Sequence, residues 1–257
     1  MTIAVNQESG LDAVRENAVA RKNALLYSAC QAFNGAAAPI SISLGGLTGS
    51  YLLAADKSLA TAPVTGYNIG MALAALPAAM LMRRIGRKRG FMSGAVVGIA
   101  GMLFAAWAIV QGDFWLFAIA LAVNGFAGGF TQQYRFAAAD TASDSFRPKA
   151  ISYVMAGGLL SAIVGPQLVK ATSDAFVIPF LGTYLGVIAV NLIGMCLFAF
   201  LDIPKPPAPV KGAALVGRSR GQLLKEPMIV VAIICATVSY ALMNLVMTST
   251  PLAVVGC

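Results

Sequence analysis

Few side chains in this sequence have the types and spacing needed for covalent or metal chemistry. The chain contains no histidine, the commonest metal ligand and a frequent general base. Its ten acidic residues all fall in tails, in loops or at the ends of apolar runs. Among them, Asp140 has helix capping or loop structure as its expected role. The cysteines (Cys30, Cys196, Cys235 and Cys257) lack the spacing of redox or zinc sites. We therefore expect no enzyme activity, no metal and no cofactor.

Polar side chains inside the apolar runs are the groups that could bind a ligand. Such groups are costly in hydrocarbon and usually face a cavity or another helix. The predicted substrate-binding residues are Gln31, Asn34, Tyr67, Asn68, Asn124, Gln132, Arg135 and Gln167. Most are neutral amides, which form hydrogen bonds in both directions. The chemistry they predict is reversible binding of a small organic solute.

Several of these residues also have a simpler possible role. Gln31 and Asn34 lie one helical turn apart and line a cavity or form hydrogen bonds between helices. Asn124, Gln132 and Arg135 share one helix face. Arg135 ends a polar track along that face or extends to the lipid headgroups. Tyr67 stacks on a flat ligand ring or packs against its neighbours.

The elements that must position these side chains are membrane-spanning helices. The chain is 58% hydrophobic and 11% charged, whereas soluble domains are about 25% charged. A span needs roughly 20 apolar residues. Seven windows qualify: 24–46, 60–82, 90–111, 114–137, 150–170, 176–200 and 227–249. The predicted fold class is an all-α integral membrane protein.

The same windows predict the domain organisation. Residues 1–23 form a polar cytoplasmic tail or a short helix, and 24–201 form a six-helix transmembrane bundle whose first span is not cleaved. Residues 202–226 are a proline-rich linker, and 227–257 are a seventh helix that begins a second half. We expect the rest of that half to be missing, or to be supplied by a second copy of the chain.

The distribution of positive charge predicts the orientation. Sixteen of the eighteen Lys and Arg residues fall in segments that share one side, the exceptions being Lys57 and Lys170. Cationic loops stay in the cytoplasm, which predicts a cytoplasmic N-terminus. The net charge of +8 therefore reflects topology, and we expect the lipid bilayer, not nucleic acid, as a partner.

Small residues recur at four-residue spacing in two windows. One stripe is Gly66, Gly70, Ala74 and Ala78, and the other is Gly157, Ser161 and Gly165. Such stripes let helix backbones approach closely in lipid. We predict that both serve helix packing. Pro39 and Pro166 are each predicted to bend a span.

The charged segment, residues 82–90, contains Arg84-Ile85-Gly86-Arg87-Lys88, which resembles the signature loop of the major facilitator superfamily. Ala139-Asp140, Arg147-Pro148-Lys149-Ala150 and Gly165-Pro166 are similar to further motifs of that family. The resemblance implies the N-terminal six-helix half of a secondary transporter. In that fold, the first, second, fourth and fifth helices line the central path.

The resemblance also implies roles for particular residues. Gating is expected at Arg83, Arg84, Gly86, Arg87 and Lys88, and helix kinks at Pro39, Gly165 and Pro166. Arg83 stands where the family has an aspartate that joins its two halves, so any such contact must differ here.

The runs 31–39 and 132–140 resemble an alphaproteobacterial branch of the family that includes riboflavin transporters. This likeness implies a transporter that moves a small organic solute across the bacterial inner membrane by alternating access, with riboflavin as the best candidate. One alternative is a porter for another metabolite or drug. Another is a seven-helix membrane scaffold or accessory subunit without transport activity.

Overall fold

The computed structural model describes residues 2–53, 58–173, 175–201 and 225–256. Within these ranges the chain is helical and contains no strand. The helices are α1 (Thr2–Asn34), α2 (Ala37–Leu53), α3 (Ala62–Ile85), α4 (Arg87–Gln111), α5 (Phe114–Thr131), α6 (Tyr134–Asp140), α7 (Arg147–Thr172), α8 (Leu181–Leu197) and α9 (Pro227–Gly256), with a 3-10 turn at Phe198–Phe200.

Seven stretches of these helices are long and apolar enough to cross a membrane. They are span 1 (Asn17–Leu53), span 2 (Ala62–Ile85), span 3 (Arg87–Gln111), span 4 (Phe114–Asp140), span 5 (Arg147–Thr172), span 6 (Leu181–Phe200) and span 7 (Pro227–Thr250). Spans 1 and 4 each consist of two helices, α1 with α2 and α5 with α6. The predicted all-α membrane fold and its seven spans are confirmed.

Two predicted windows differ from the observed spans by more than three residues at an end. The sixth begins at Leu181 instead of 176. Phe180, just before it, has a φ of 68°, and this left-handed conformation cannot continue a helix. The first span extends from Asn17 to Leu53 instead of from 24 to 46, and α1 continues the helix back to Thr2, through the segment predicted as a tail or a short helix.

The turn between spans 3 and 4 shows how local sequence sets the helix ends. Gly112 ends α4 with a φ of 69°, and its N–H bonds to the carbonyl of Ile109 at 3.1 Å. Asp113 then caps α5, since its Oδ1 accepts the N–H groups of Trp115 at 2.8 Å and Leu116 at 3.0 Å. Glycine and aspartate are the residues that these two cap positions favour.

The chain divides into two compact units, Met1–Pro204 and Lys205–Cys257. The first unit contains spans 1 to 6, and the described part of the second is dominated by the single helix α9. Most of the predicted linker, 202–226, lies outside the described residues. The domain boundaries therefore stay predictions.

In the first unit, the second and fifth spans each pack along a span from the other half of the unit, where one half is spans 1 to 3 and the other is spans 4 to 6. Span 2 packs along span 4, and span 5 packs along span 1. A Cβ atom at Gly70 would overlap the backbone carbonyl of Ala122, and one at Gly157 would overlap that of Ser28. The glycine stripes thus serve close packing, as predicted. The two contacts are equivalent when the first three spans are exchanged with the last three.

We call the end of the bundle that carries the charged segment the charged end. At this end, an aromatic cluster joins four spans. Tyr27, Phe91, Tyr134 and Phe198 are all buried. The ring centroids of Phe91 and Tyr134 lie 4.9 Å apart, edge to face. These rings come from spans 1, 3, 4 and 6, so the cluster fixes the ends of those helices together.

Candidate functional site

The structure divides the eight predicted substrate-binding residues by exposure. Asn34, Tyr67 and Asn124 are buried, with exposed fractions of 7%, 2% and 2%. The remaining five are Gln31, Asn68 and Arg135, which are half-buried, and Gln132 and Gln167, which are exposed. The second set has side-chain surface that the neighbouring helices do not cover, whereas the first set is enclosed by them. Contact of any of them with a substrate stays a prediction.

Asn124 lies between three spans. Its Nδ2 donates to Ser41 Oγ on span 1 at 3.0 Å. On its other side, a Cβ atom at Gly101 of span 3 would lie only 2.9 Å from the backbone nitrogen of Asn124. The residue therefore forms a hydrogen bond between helices, a role considered from the sequence for Gln31 and Asn34 but not for Asn124, which was predicted to line a cavity.

Asn34 has a similar position on span 1. Its Nδ2 donates to the hydroxyl of Tyr134 on span 4 at 3.2 Å. Its Oδ1 lies against Gly194 of span 6, where a Cβ atom would overlap it. Neither Ser41 nor Tyr134 was selected from the sequence as a partner, because sequence spacing does not show which helices face each other.

Tyr67 and Asn68 lie side by side on span 2 but differ in their surroundings. The backbone carbonyl of Tyr67 lies against Gly125, and its hydroxyl would be 2.9 Å from a Cβ atom at Gly128. Asn68 donates from Nδ2 to the carbonyl of Val64 at 3.1 Å. Its buried Oδ1 has no hydrogen-bond partner among the described residues, which leaves an acceptor available beside span 2.

One face of span 4 changes from buried to open along its length. Phe117, Leu121 and Asn124 are buried on this face. Further along the same face, towards the charged end, Gln132 is exposed and Arg135 is half-buried. The predicted polar track is therefore divided into an enclosed part at Asn124 and an accessible part nearer the charged end.

Arg135 has features of both roles proposed for it. Its guanidinium carbon lies 5.1 Å from the centroid of the Phe136 ring, which is 51% exposed. Its Nε is buried and has no hydrogen-bond partner among the described residues. The buried Nε is closed to a ligand, whereas the planar guanidinium group beside the open aromatic ring has the chemistry to bind a ligand carbonyl.

The exposed glutamines do not come together. Gln132 lies eight residues before Asp140, whereas Gln167 lies twenty residues beyond Arg147. At 1.5 Å per residue, these separations place them about 12 Å and about 30 Å from the charged end. The structure thus offers sites at two depths and no single cluster of all eight residues.

The two predicted kink positions differ in their local structure. Span 1 is interrupted at Gly35-Ala36, four residues before Pro39, since a proline clashes with the carbonyl of the residue four positions earlier. Pro166 lies inside α7, which continues to Thr172. A bend at Gly165-Pro166 stays a prediction.

The charged segment connects three helix ends. Arg87 forms an ion pair with Asp140, in place of the capping or loop role expected for that aspartate. Lys88 Nζ donates to the carbonyls of Ala199 at 2.7 Å and Leu201 at 3.2 Å. The start of span 3 is thereby joined to the ends of spans 4 and 6.

The other predicted gating residues do not take part in these bonds. Gly86 has a φ of 86°, a conformation that favours glycine, and forms the turn between α3 and α4. Arg83 and Arg84 are exposed and form no ion pair with a described residue. The segment thus has a bonded part and a part directed to solvent.

Comparison with known proteins decides the family. The profile of the Major Facilitator Superfamily matches residues 23–256. The chain belongs to the major facilitator superfamily. It is a multi-pass membrane protein of this transporter type, and the resemblance drawn from its motifs is confirmed.

Curated relatives of the family extend beyond this chain. It is 40% identical over 240 residues to the riboflavin transporter RfnT of Brucella anthropi, covering 92% of this chain and 60% of RfnT. It is 26% identical over 254 residues to the uncharacterized MFS-type transporter YddS of Bacillus subtilis, covering 92% and 57%. The chain therefore spans about three fifths of the length of these relatives.

A solved structure has the same fold. The crystal structure of an auto-inhibited POT family peptide transporter matches with a TM-score of 0.53 at 17% identity, over 90% of this chain and 50% of that one. At this identity the match concerns the fold of the major facilitator superfamily, and it carries no information about substrate.

Proposed function

We propose that this chain takes part in secondary transport of riboflavin across a bacterial inner membrane by alternating access. The observation that carries the proposal is the 40% identity to a riboflavin transporter over 92% of the chain. The N-terminus and the charged end lie in the cytoplasm, because cationic segments are retained there.

The accessible side chains fit the chemistry of this solute. Riboflavin is neutral, with a flat ring system, an imide edge and a chain of hydroxyl groups. Gln132 and Arg135 supply amide and guanidinium donors, and the exposed ring of Phe136 supplies a stacking surface. Gln31, Asn68 and Gln167 provide further hydrogen-bonding groups at other depths. The buried residues Asn34, Tyr67 and Asn124 support the helices that carry them.

Growth of cells that cannot make riboflavin tests this proposal. Two proteins are expressed separately: this chain, and a chimera in which it continues into the part of RfnT that it does not cover. Intact RfnT is the positive control. We expect riboflavin uptake and growth at low riboflavin from the chimera. If the chimera reaches the membrane in normal amount and gives neither, riboflavin is the wrong substrate.

Cysteine labelling separates a transporter from a membrane scaffold. Gln132→Cys is placed on the accessible part of span 4, and its labelling rate is measured in membranes with and without riboflavin. A transporter predicts protection by the solute or a change in rate. A rate that is the same under all conditions favours a scaffold without transport activity.

A further inference from the structure

Spans 1 and 4 are each interrupted, and one hydrogen bond joins the two interruptions. In span 1, α1 ends at Asn34 and α2 begins at Ala37. In span 4, α5 ends at Thr131 and α6 begins at Tyr134. The bond from Asn34 Nδ2 to Tyr134 Oη, 3.2 Å long, therefore connects the last residue of one helix to the first residue of another.

Both interruptions contain short-range backbone hydrogen bonds. In span 1, the N–H of Ala36 bonds to the carbonyl of Phe33 at 3.2 Å. In span 4, the N–H of Gln133 bonds to the carbonyl of Phe130 at 3.0 Å. These bonds span three residues, as in a 3-10 turn, so each span changes its winding at this point. The relative orientation of the side chains before and after each interruption therefore depends on the contacts that hold the interruption in place.

Spans 3 and 6 fix the two residues that form the hydrogen bond. The Tyr134 ring lies 4.9 Å from the Phe91 ring of span 3 and 5.6 Å from the Phe198 ring of span 6. Asn34 lies against Gly194, also of span 6, with no room for a side chain there. Neither residue can turn away without moving its neighbours. The bond is thus set by the bundle as a whole.

The accessible glutamines adjoin these interruptions. Gln132 belongs to the interruption in span 4. Gln31 precedes the one in span 1 by one turn, and its carbonyl accepts the N–H of Gly35 at 2.9 Å. A Cβ atom at Gly35 would lie 2.8 Å from Gln31 Nε2, so this side chain folds over the interruption.

We propose that Asn34 and Tyr134 are positioning residues, which fix the orientation of Gln31 and Gln132 through the hydrogen bond between the two interruptions. The inference rests on the proposed function, because it takes riboflavin as the solute that these glutamines bind. Asn34 and Tyr134 do not themselves touch the solute. Their loss leaves the glutamines present but less well oriented, which weakens binding more than it slows the transport step.

The test uses Tyr134→Phe, which keeps the aromatic ring and removes only the hydroxyl. Tyr184→Phe is the matched control, because Tyr184 is equally buried and its hydroxyl bonds to Thr48 at 3.5 Å, away from both interruptions. Hydrogen bonds between helices in membranes contribute modestly, so we expect Tyr134→Phe to raise the KM for riboflavin about three- to tenfold. The maximal rate should change less than about twofold, and the control should leave the KM unchanged.

A double-mutant cycle shows whether the two residues act through their bond. Asn34→Ala, Tyr134→Phe and the double variant are compared in the chain or chimera that carries riboflavin. If the bond is responsible, the double variant raises the KM no more than the larger single effect. If the KM of the double variant rises by the product of the two single effects, or if the KM is unchanged and less protein reaches the membrane, the two residues have a purely structural role.

A second measurement does not depend on riboflavin. Gln132→Cys is labelled in a background with Cys196, Cys235 and Cys257 replaced by serine. Adding Tyr134→Phe should change the labelling rate, and adding Tyr184→Phe should not. A changed rate without riboflavin uptake would support the positioning role and refute the substrate. Normal uptake with an unchanged rate and KM would refute the positioning role alone.

Discussion

Arg87 and Asp140 form an ion pair that joins the start of span 3 to the end of span 4. Both charges stand at the unfavourable end of their own helix, since Arg87 begins α4 and Asp140 ends α6. A helix favours anions at its N-terminus and cations at its C-terminus. Each charge therefore offsets the other's conflict with its helix dipole.

Exchanging the two charges should restore what either single change removes. Arg87→Asp alone and Asp140→Arg alone each place like charges together, and we expect a lower melting temperature in detergent. In the double variant the pair is rebuilt, and each charge now suits its helix end. Because the side chains are 28% and 59% exposed, the effects should be small, about 1 kcal/mol. A double variant less stable than both single ones would contradict this account.

Adjacent glycines on span 5 should differ in their tolerance of a methyl group. A Cβ atom at Gly157 would lie 2.8 Å from the carbonyl carbon of Ser28, which is backbone and cannot rotate away. At Gly158 the nearest atoms, on Gln31, are 3.9 Å distant. We expect Gly157→Ala to destabilise the protein by about 1–3 kcal/mol and Gly158→Ala to be close to neutral.

The comparison is a thermal melt of the two variants in the same detergent, followed by size-exclusion chromatography. Equal melting temperatures for Gly157→Ala and Gly158→Ala would show that spans 1 and 5 do not approach as closely as the structure describes. The same substitution at Gly70 should resemble that at Gly157, because it meets the backbone of Ala122 in the same way.

Arg135→Ala should reduce riboflavin uptake if the guanidinium meets the solute. Its position beside the open Phe136 ring favours that role. Arg135→Lys keeps the charge and loses the planar donor group. We expect the lysine variant to retain part of the uptake, and the alanine variant to lose about tenfold or more in kcat/KM. Unchanged uptake at a normal protein level would assign Arg135 to the lipid headgroups.

The orientation can be measured with reporter insertions in two exposed loops. Alkaline phosphatase, which is active outside the cytoplasm, should be active when inserted after Gly112. Green fluorescent protein should fluoresce after Ser145, between spans 4 and 5. The two sites lie on opposite sides of span 4, so they must give opposite results. Activity of alkaline phosphatase at Ser145 would reverse the proposed orientation.

The spans were predictable from sequence because one property, the thickness of the bilayer, sets their length. The packing stripes were predictable because only small residues let backbones meet, as at Gly70 and Gly157. Both signals are local: they depend on residues a few positions apart. Neither requires knowledge of which helices become neighbours.

The site was less predictable because hydropathy treats all hidden polar groups alike. Asn124, which bonds to Ser41, and Gln132, which is exposed, are both neutral amides within one apolar run, so hydropathy does not distinguish them although their exposure differs. The bond between Asn34 and Tyr134 joins residues 100 positions apart. The interruption at Gln132-Gln133 contains neither glycine nor proline, so no local residue type predicted it.

The glycine contacts have a consequence for how the protein is made. During synthesis, span 2 enters the bilayer before span 4 exists, and span 1 before span 5. Gly70 and Ser28 therefore lack their backbone partners in the finished bundle until Ala122 and Gly157 have been synthesised. The close contacts that join span 2 to span 4 and span 1 to span 5 can form only after spans 4 and 5 have entered the bilayer.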